Sequence, residues 1–279
     1  MSAEALFEPD AGYDTVMGRR NRLSVADVRT IQLNLLDTFD RFCAAHDIRY
    51  YLAYGTLLGA ARHGGYIPWD DDIDLMLPRA DYERFARAFG TSPPADTLRF
   101  GCAELDTTWP FRAGKLWDAR TVHFADVAKN VDLGVFIDLF PVDAVPDSAL
   151  ASWWYIRRTS FLRRLHAASF TSSRPTWKTI VPRVVLSPTR LSRRLNRVAR
   201  GAGDRRTERA GVSVVTAHWH VPVEYFGTGQ DISFEGVKRP APVRWKEILE
   251  QLYEDWQVLP PEDQRVSPHC WAAYWRAEQ

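Results

Sequence analysis

The chain has 279 residues, 46% of them apolar, and a formal net charge of +1, which allows a full buried core and excludes a disordered or fibrous protein. No stretch approaches the roughly 20 apolar residues that span a bilayer, and the near-neutral total excludes a chain built wholly to neutralise nucleic acid. Its three cysteines, Cys43, Cys102 and Cys270, are far apart, match no zinc-finger spacing and suit reduced, mostly buried thiols.

In chain order, residues 1–23 read as an extension whose start, MSAEALFEPDAGYD, lacks the charged head and apolar core of an export signal, so a cytoplasmic protein is expected. From Ser24 to about His46, the residues Val25, Val28, Ile31, Leu35, Phe39 and Phe42 recur at three- and four-residue steps behind a capping serine. That pattern predicts an amphipathic helix. RYYLAYG predicts a short buried strand running into Gly55, and TLLGAAR a brief helix halted by the glycines of HGGYIP. DIDLMLP predicts a strand and ADYERFARAF a helix after Arg79; further strands fall at about 97 to 103, 113 to 117, 120 to 124 and 134 to 140, the last being GVFIDLF. Residues 151–210 differ in kind, because fifteen Arg and Lys face two acids, a net of +13 that leaves about −12 for the rest. A peripheral helical segment is expected there. Beyond about Glu224 come a Pro-flanked strand region, a helix in PVRWKEILEQLYEDW and the loop LPPEDQRVSPHC.

The most informative stretch runs from Gly55-Thr56 to Trp69-Asp70-Asp71-Asp72-Ile73-Asp74. Two carboxylates at i and i+2 of a strand share a face, so Asp72 and Asp74 are placed to grip one hard cation. Mg2+ keeps only one or two protein carboxylates and completes its shell with water and phosphate oxygens, so such a site implies a phosphorylated ligand. A D-x-D alone also occurs in ordinary solvated turns. Here a Gly-Thr at a strand end precedes it, offering backbone N–H groups and a helix N-terminus to phosphate. Asp138, a charge inside the apolar GVFIDLF, is costly to bury unless paired or metal-bound. Together these features are the signature of the nucleotidyltransferase fold, with Asp138 as third carboxylate. Asp70 and Asp71 are read as shaping the loop or orienting the metal ligands rather than binding metal directly, and Trp69 as packing beneath the loop, with base stacking as its alternative. His218-Trp219-His220 puts two imidazoles on one predicted strand face, but no further ligand completes a zinc set.

GTLLGAARHGGYIPWDDDIDLMLPRADYERF closely resembles the core motif of the LicD family, which includes fukutin and fukutin-related protein; GVFIDLFPVD is similar to the family's second motif, and ILEQLYEDWQVLPPEDQRVSPH resembles its C-terminal segment. There the family commonly has Gly-Asp-Tyr after the tyrosine, whereas Tyr253 is followed by Glu254-Asp255-Trp256. The resemblance implies an α/β (α+β) protein with a mixed sheet: an extension at 1–23, a nucleotidyltransferase-like core at 24–147, a basic helical insertion at 148–215 and a completing segment at 216–279. It further implies transfer of phosphocholine or a polyol phosphate from a CDP-linked donor to a sugar, glycan or lipid-linked glycan hydroxyl, releasing CMP. Asp72, Asp74 and Asp138 are then the catalytic and metal residues, holding Mg2+ or Mn2+, two ions in all. Asp138 is either ligand or general base. Gly55, Thr56, Arg62, His63, Arg79, Lys115 and His269 are the candidates for donor phosphate. An anionic membrane at the inner face is one partner for 151–210 and the acidic remainder of the chain is the other, with nucleic acid ranked last. The rival activities are NMP transfer from an NTP and a silent membrane-associated binding protein.

Overall fold

The protein is described by a computed structural model covering residues 21–125, 131–170, 187–202, 207–216, 218–267 and 271–276. Helix α1 (Val25–Ala45) begins where expected: Ser24 caps it in a reciprocal box with Asp27, and Val28, Ile31, Leu35, Phe39 and Phe42 face inward. A short strand β1 (Tyr51–Leu52) leads into α2 (Tyr54–His63), which ends at Gly64 with φ +71°. The strand is shorter than RYYLAYG predicts, because Tyr54 takes φ +40° and turns the chain directly into the helix.

Strand β2 (Asp74–Pro78) and helix α3 (Arg79–Thr91) follow, then β3 (Leu98–Gly101), β4 (Gly114–Asp118), β5 (Thr121–Ala125) and the long β6 (Phe136–Val145). The main sheet runs β1-β2-β6-β4-β3, and the far end of β6 also pairs with β7 (Arg209–Gly211), which pairs with β8 (Val221–Pro222). Among the described residues β2 and β6 are the parallel pair and the other pairings are antiparallel, so this is a mixed α/β sheet. Aromatic side chains of α1 and α3 close on β3: Phe42 packs on Phe85 at 5.5 Å between centroids, and Phe85 on Phe100 at 5.0 Å. Such edge-on ring pairs fill a core with little polar cost.

The basic stretch forms α4 (Ala149–Phe170) and α5 (Pro188–Ala199), which pack on one another; Tyr155 ties them by donating to the Ala199 carbonyl at 2.9 Å. A hairpin, β9 (Gln230–Phe234) and β10 (Val237–Ala241), occupies the Pro-flanked region, followed by α6 (Trp245–Tyr253). A last strand, β11 (Trp271–Trp275), pairs with β5 in a separate ladder that sequence alone did not reveal. His218-Trp219-His220 does not form the predicted strand; it lies in the turn before β8, where His220 Nε2 sits 3.0 Å from Arg209 Nη1. Cys43 and Cys102 are buried free thiols, and among the described residues no helix is long and apolar enough to cross a membrane.

Candidate active site

Sheet register assembles the centre. Asp74 opens β2 directly opposite Asp138 of parallel β6, and Asp138 in turn lies opposite Lys115 of β4. Three ionisable side chains therefore form a row across three strands. The Lys115 ammonium clamps the Asp138 carboxylate at 2.6 and 2.8 Å while resting 3.7 Å from the Phe136 ring centroid. Asp72, two residues before Asp74, brings its carboxylate to the same place, so that oxygens of Asp72, Asp74 and Asp138 lie within 4.8 Å of one another. Burial, reinforced by Asp72, Asp138 and Asp70, pushes the Asp74 carboxyl well above the usual carboxylate range, with Lys115 opposing. Carboxylates crowded this closely repel unless a cation joins them, and an all-oxygen set suits a hard divalent ion.

The loop that carries these acids is fastened from two sides. Thr56 is buried on α2, and its Oγ1 accepts the Asp74 backbone N–H at 2.8 Å, while Ala53 N–H donates to the Asp74 carbonyl at 2.9 Å. From α1, Arg29 donates to the carbonyls of Ile67, Pro68 and Asp70, and Gln32 to that of Asp71 at 2.8 Å. Tyr66 completes the clamp by donating to Gln32 Oε1 at 3.0 Å. A Cβ at Gly55 would stand 2.5 Å from Asp70 Oδ2, so any side chain there would displace the Asp70 carboxylate. The Asp70 and Asp71 backbones are thus held from α1, while carboxylate oxygens of Asp70, Asp71 and Asp72 form a cluster of their own.

A cleft of about 770 Å³ opens over the centre, floored by Gly55, Asp72 and Asp74 and walled by Tyr253 to Trp256 and the following loop. Trp69 lines it, and so does Arg62, whose Nη1 donates to the carbonyls of Trp256 and Val258 and so ties α2 to the C-terminal segment. His63 stays exposed at its edge, accepting from Arg62 Nε at 3.1 Å. Arg79 goes elsewhere: it opens α3 just past Pro78, the end of β2 that lies roughly 13 Å along the strand from Asp74, and is buried in ion pairs with Asp143 (2.7 Å) and Glu104 (2.8 Å). A cation that sequence places near a strand end is here at the wrong end. His269 lies outside the described residues. Arg29 and Gln32 escaped the sequence reading; the signal for the second was a glutamine on the apolar face of α1, between Ile31 and Leu35.

Comparison with known proteins agrees with this geometry. Residues 47–173 match the family model described as LicD/FKTN/FKRP, nucleotidyltransferase domain, a span that contains β2, β6 and all three acids. The lipopolysaccharide cholinephosphotransferase LicD of Haemophilus influenzae is 27% identical over 267 residues, 91% of this chain and 98% of that protein. The human ribitol 5-phosphate transferase FKRP is 64% identical over 33 residues, 12% of this chain and 7% of that protein. Mannosyltransferase regulator 4 of Saccharomyces cerevisiae is 29% identical over 116 residues, 38% of this chain and 9% of that protein. Residues 47–173 thus carry a LicD/FKTN/FKRP nucleotidyltransferase domain, and the chain is a LicD-type transferase.

Proposed function

We propose that this phosphotransferase moves a substituted phosphate, of the phosphocholine or polyol-phosphate kind, from a CDP-linked donor to a hydroxyl of a sugar or glycan, releasing CMP. The observation that carries the reading is the convergence of Asp72, Asp74 and Asp138 within 4.8 Å under an open cleft. Mg2+ or Mn2+ held by these carboxylates would neutralise phosphate charge and steady the attacking and leaving oxygens. The acceptor oxygen forms a bond to the phosphorus that bears the head group, and the bond from that phosphorus to the bridging oxygen breaks. CMP departs with the electron pair. The hydroxyl proton passes to a carboxylate; with the metal held by Asp72 and Asp74 alone, Asp138 is the candidate, since Lys115 fixes its direction. Thr56 acts at one remove by holding the Asp74 backbone.

The expected donor end of the cleft is the Gly55–Arg62 side, where α2 begins, and the wall from Tyr253 to Trp256 is then left to meet the acceptor or head group. Because this wall departs from the family's Gly-Asp-Tyr, acceptor choice is where the chain should differ most from its relatives. For location, we place the enzyme on the cytoplasmic side, with the exposed face of α4 and α5 against an anionic membrane that carries a lipid-linked acceptor.

The test is a Mg2+-dependent screen of the purified protein with CDP-choline, CDP-ribitol, CDP-glycerol, CTP and ATP, with products identified by mass. CMP released from one CDP-linked compound, and lost with EDTA and in Asp74→Ala, is the expected result. Pyrophosphate released from an NTP would replace this reading with nucleotidyl transfer. Silence with every donor, both with and without sugar acceptors, would leave a binding protein.

A further inference from the structure

Tyr54 stands at the edge of the acidic cleft and has a second side that the reaction above does not use. Its φ of +40° is a conformation that costs a non-glycine residue on the order of 1–3 kcal/mol and persists where surrounding structure imposes it. The ring is held edge-on to Phe140 at 5.3 Å and beside Trp219 at 6.5 Å, and its hydroxyl faces Thr216 and the guanidinium groups of Arg163, from α4, and Arg112.

These groups lack what they need. Arg163 Nε and Trp219 Nε1 are buried without a hydrogen-bond partner, and the buried hydroxyls of Tyr54 and Thr216 have only each other. Neither arginine has a carboxylate partner among the described residues, and Arg112 makes a single long bond, 3.4 Å, from Nη1 to the Val214 carbonyl. Buried polar atoms are rarely left unpaired, and each one costs about 1–3 kcal/mol. Burial, with Arg163 adding to it, pushes the Arg112 guanidinium below its ordinary value, and burial does the same to Arg163. Two guanidinium groups that repel each other thus lie beside buried donors, with no carboxylate among the described residues to pair them. The backbone at Arg112 is nonetheless fixed: Asn196 of α5 donates to its carbonyl at 3.0 Å.

Resting on the phosphotransfer reading, we propose that Arg112, Arg163, Tyr54, Thr216 and Trp219 form an anion subsite that takes a phosphate group carried by one of the two reactants. A phosphate matches the set better than a carboxylate does. Its oxygens spread tetrahedrally and accept from several directions, whereas a carboxylate lies in the plane of one guanidinium. Tyr54 joins the subsite to the acidic centre, with Asp74 on one side and the arginines on the other. The phosphate belongs either to the donor's pyrophosphate or to a phosphorylated acceptor.

The test measures binding in EDTA, so turnover does not enter it. Wild type, Arg112→Gln/Arg163→Gln and Arg163→Lys are titrated calorimetrically with CDP, cytidine and inorganic phosphate, and their unliganded melting temperatures are recorded. The double variant is expected to melt no lower than wild type, because repulsion and unpaired donors are relieved. A loss of about ten-fold or more in CDP affinity, with cytidine unchanged and Arg163→Lys intermediate, assigns the subsite to the donor. Loss of phosphate binding with CDP unchanged assigns it to the acceptor. Equal binding of both anions by wild type and double variant overturns the proposal, as does a wild type that binds neither at millimolar concentration, or a double variant that melts lower with anion binding intact. A protein that shows the subsite yet never releases CMP from any CDP-linked compound would end the transfer reading alone.

Discussion

At the scale of single residues, the centre depends on groups that never touch a substrate. Thr56 is the sharpest case. Its sequence position beside Gly55 at a strand end argues for phosphate contact, but its hydroxyl is buried and spent on the Asp74 N–H at 2.8 Å. Thr56→Val keeps the shape and removes the acceptor. The N–H at the head of β2 is then left unpaired, a cost of about 1–3 kcal/mol, and the Asp74 carboxylate loses its anchor. We expect CMP release to need roughly 10–100 times more Mg2+, with the donor KM little changed at saturating metal. A raised donor KM with the metal requirement unchanged would show instead that the hydroxyl serves the donor directly. Asp72 and Asp74 are legible because acids at i and i+2 of a strand share a face, and Asp138 because it puts a charge inside the apolar GVFIDLF. Arg29, Arg112 and Arg163 are not legible, since each is an ordinary arginine until a distant segment folds against it. Lys115 was legible only as a cation near a strand end; its partner is fixed by the β4/β6 register, which periodicity does not specify.

At the scale of elements, α4 and α5 do more than add charge. They hold the segment that leads into β4: His166 Nε2 donates to the Pro110 carbonyl at 2.7 Å, Ser192 to that of Phe111, and Asn196 to that of Arg112 at 3.0 Å. The sequence marks this stretch as a basic helical addition, and its helical character is legible from composition; its grip on residues 110–112 is not, because all three acceptors are backbone carbonyls. Burial pushes the His166 imidazole down to about 4, with the Pro110 bond opposing and Arg112 assisting. The imidazole is therefore neutral in the fold. Above pH 6.5 neither the folded nor the unfolded chain protonates it and its contribution is intact. As pH falls from 6.5 toward 4 the unfolded chain takes up the proton first, so stability drains away over that window, by about 3 kcal/mol in total. Urea denaturation of wild type and His166→Gln at pH 7.5 and pH 4.5 checks this. The wild type should lose more stability than the variant between the two, and equal losses would mean that His166 titrates normally.

At the scale of the whole molecule, positive charge gathers on the exposed side of α4 and α5. The inward stripe of α4 is Ser152, Tyr155, Thr159, Leu162, His166 and Ser169, and its outward side carries Leu150, Trp153, Trp154 and Phe161 at 49–70% exposure among Arg157, Arg158 and Arg164. Arg190, Arg193, Arg194 and Arg197 extend that face along α5, and neither helix contains an acid. Large apolar side chains interleaved with arginine suit an anionic bilayer, where each cation near the surface contributes about 1 kcal/mol and the rings bury at head-group depth. Folding back onto the chain's acidic remainder would satisfy the arginines but would also cover the rings, and these stay exposed. Cosedimentation should therefore bring the protein down with vesicles rich in phosphatidylglycerol and not with phosphatidylcholine alone, and added salt should weaken the association. Trp153→Ser/Trp154→Ser/Phe161→Ser should cut partitioning by about ten-fold or more while CMP release in solution is unchanged, because none of the three reaches the cleft. Equal recovery with neutral and anionic vesicles would sink the membrane assignment, and binding that survives the triple substitution but fails in salt would reduce it to charge attraction without insertion.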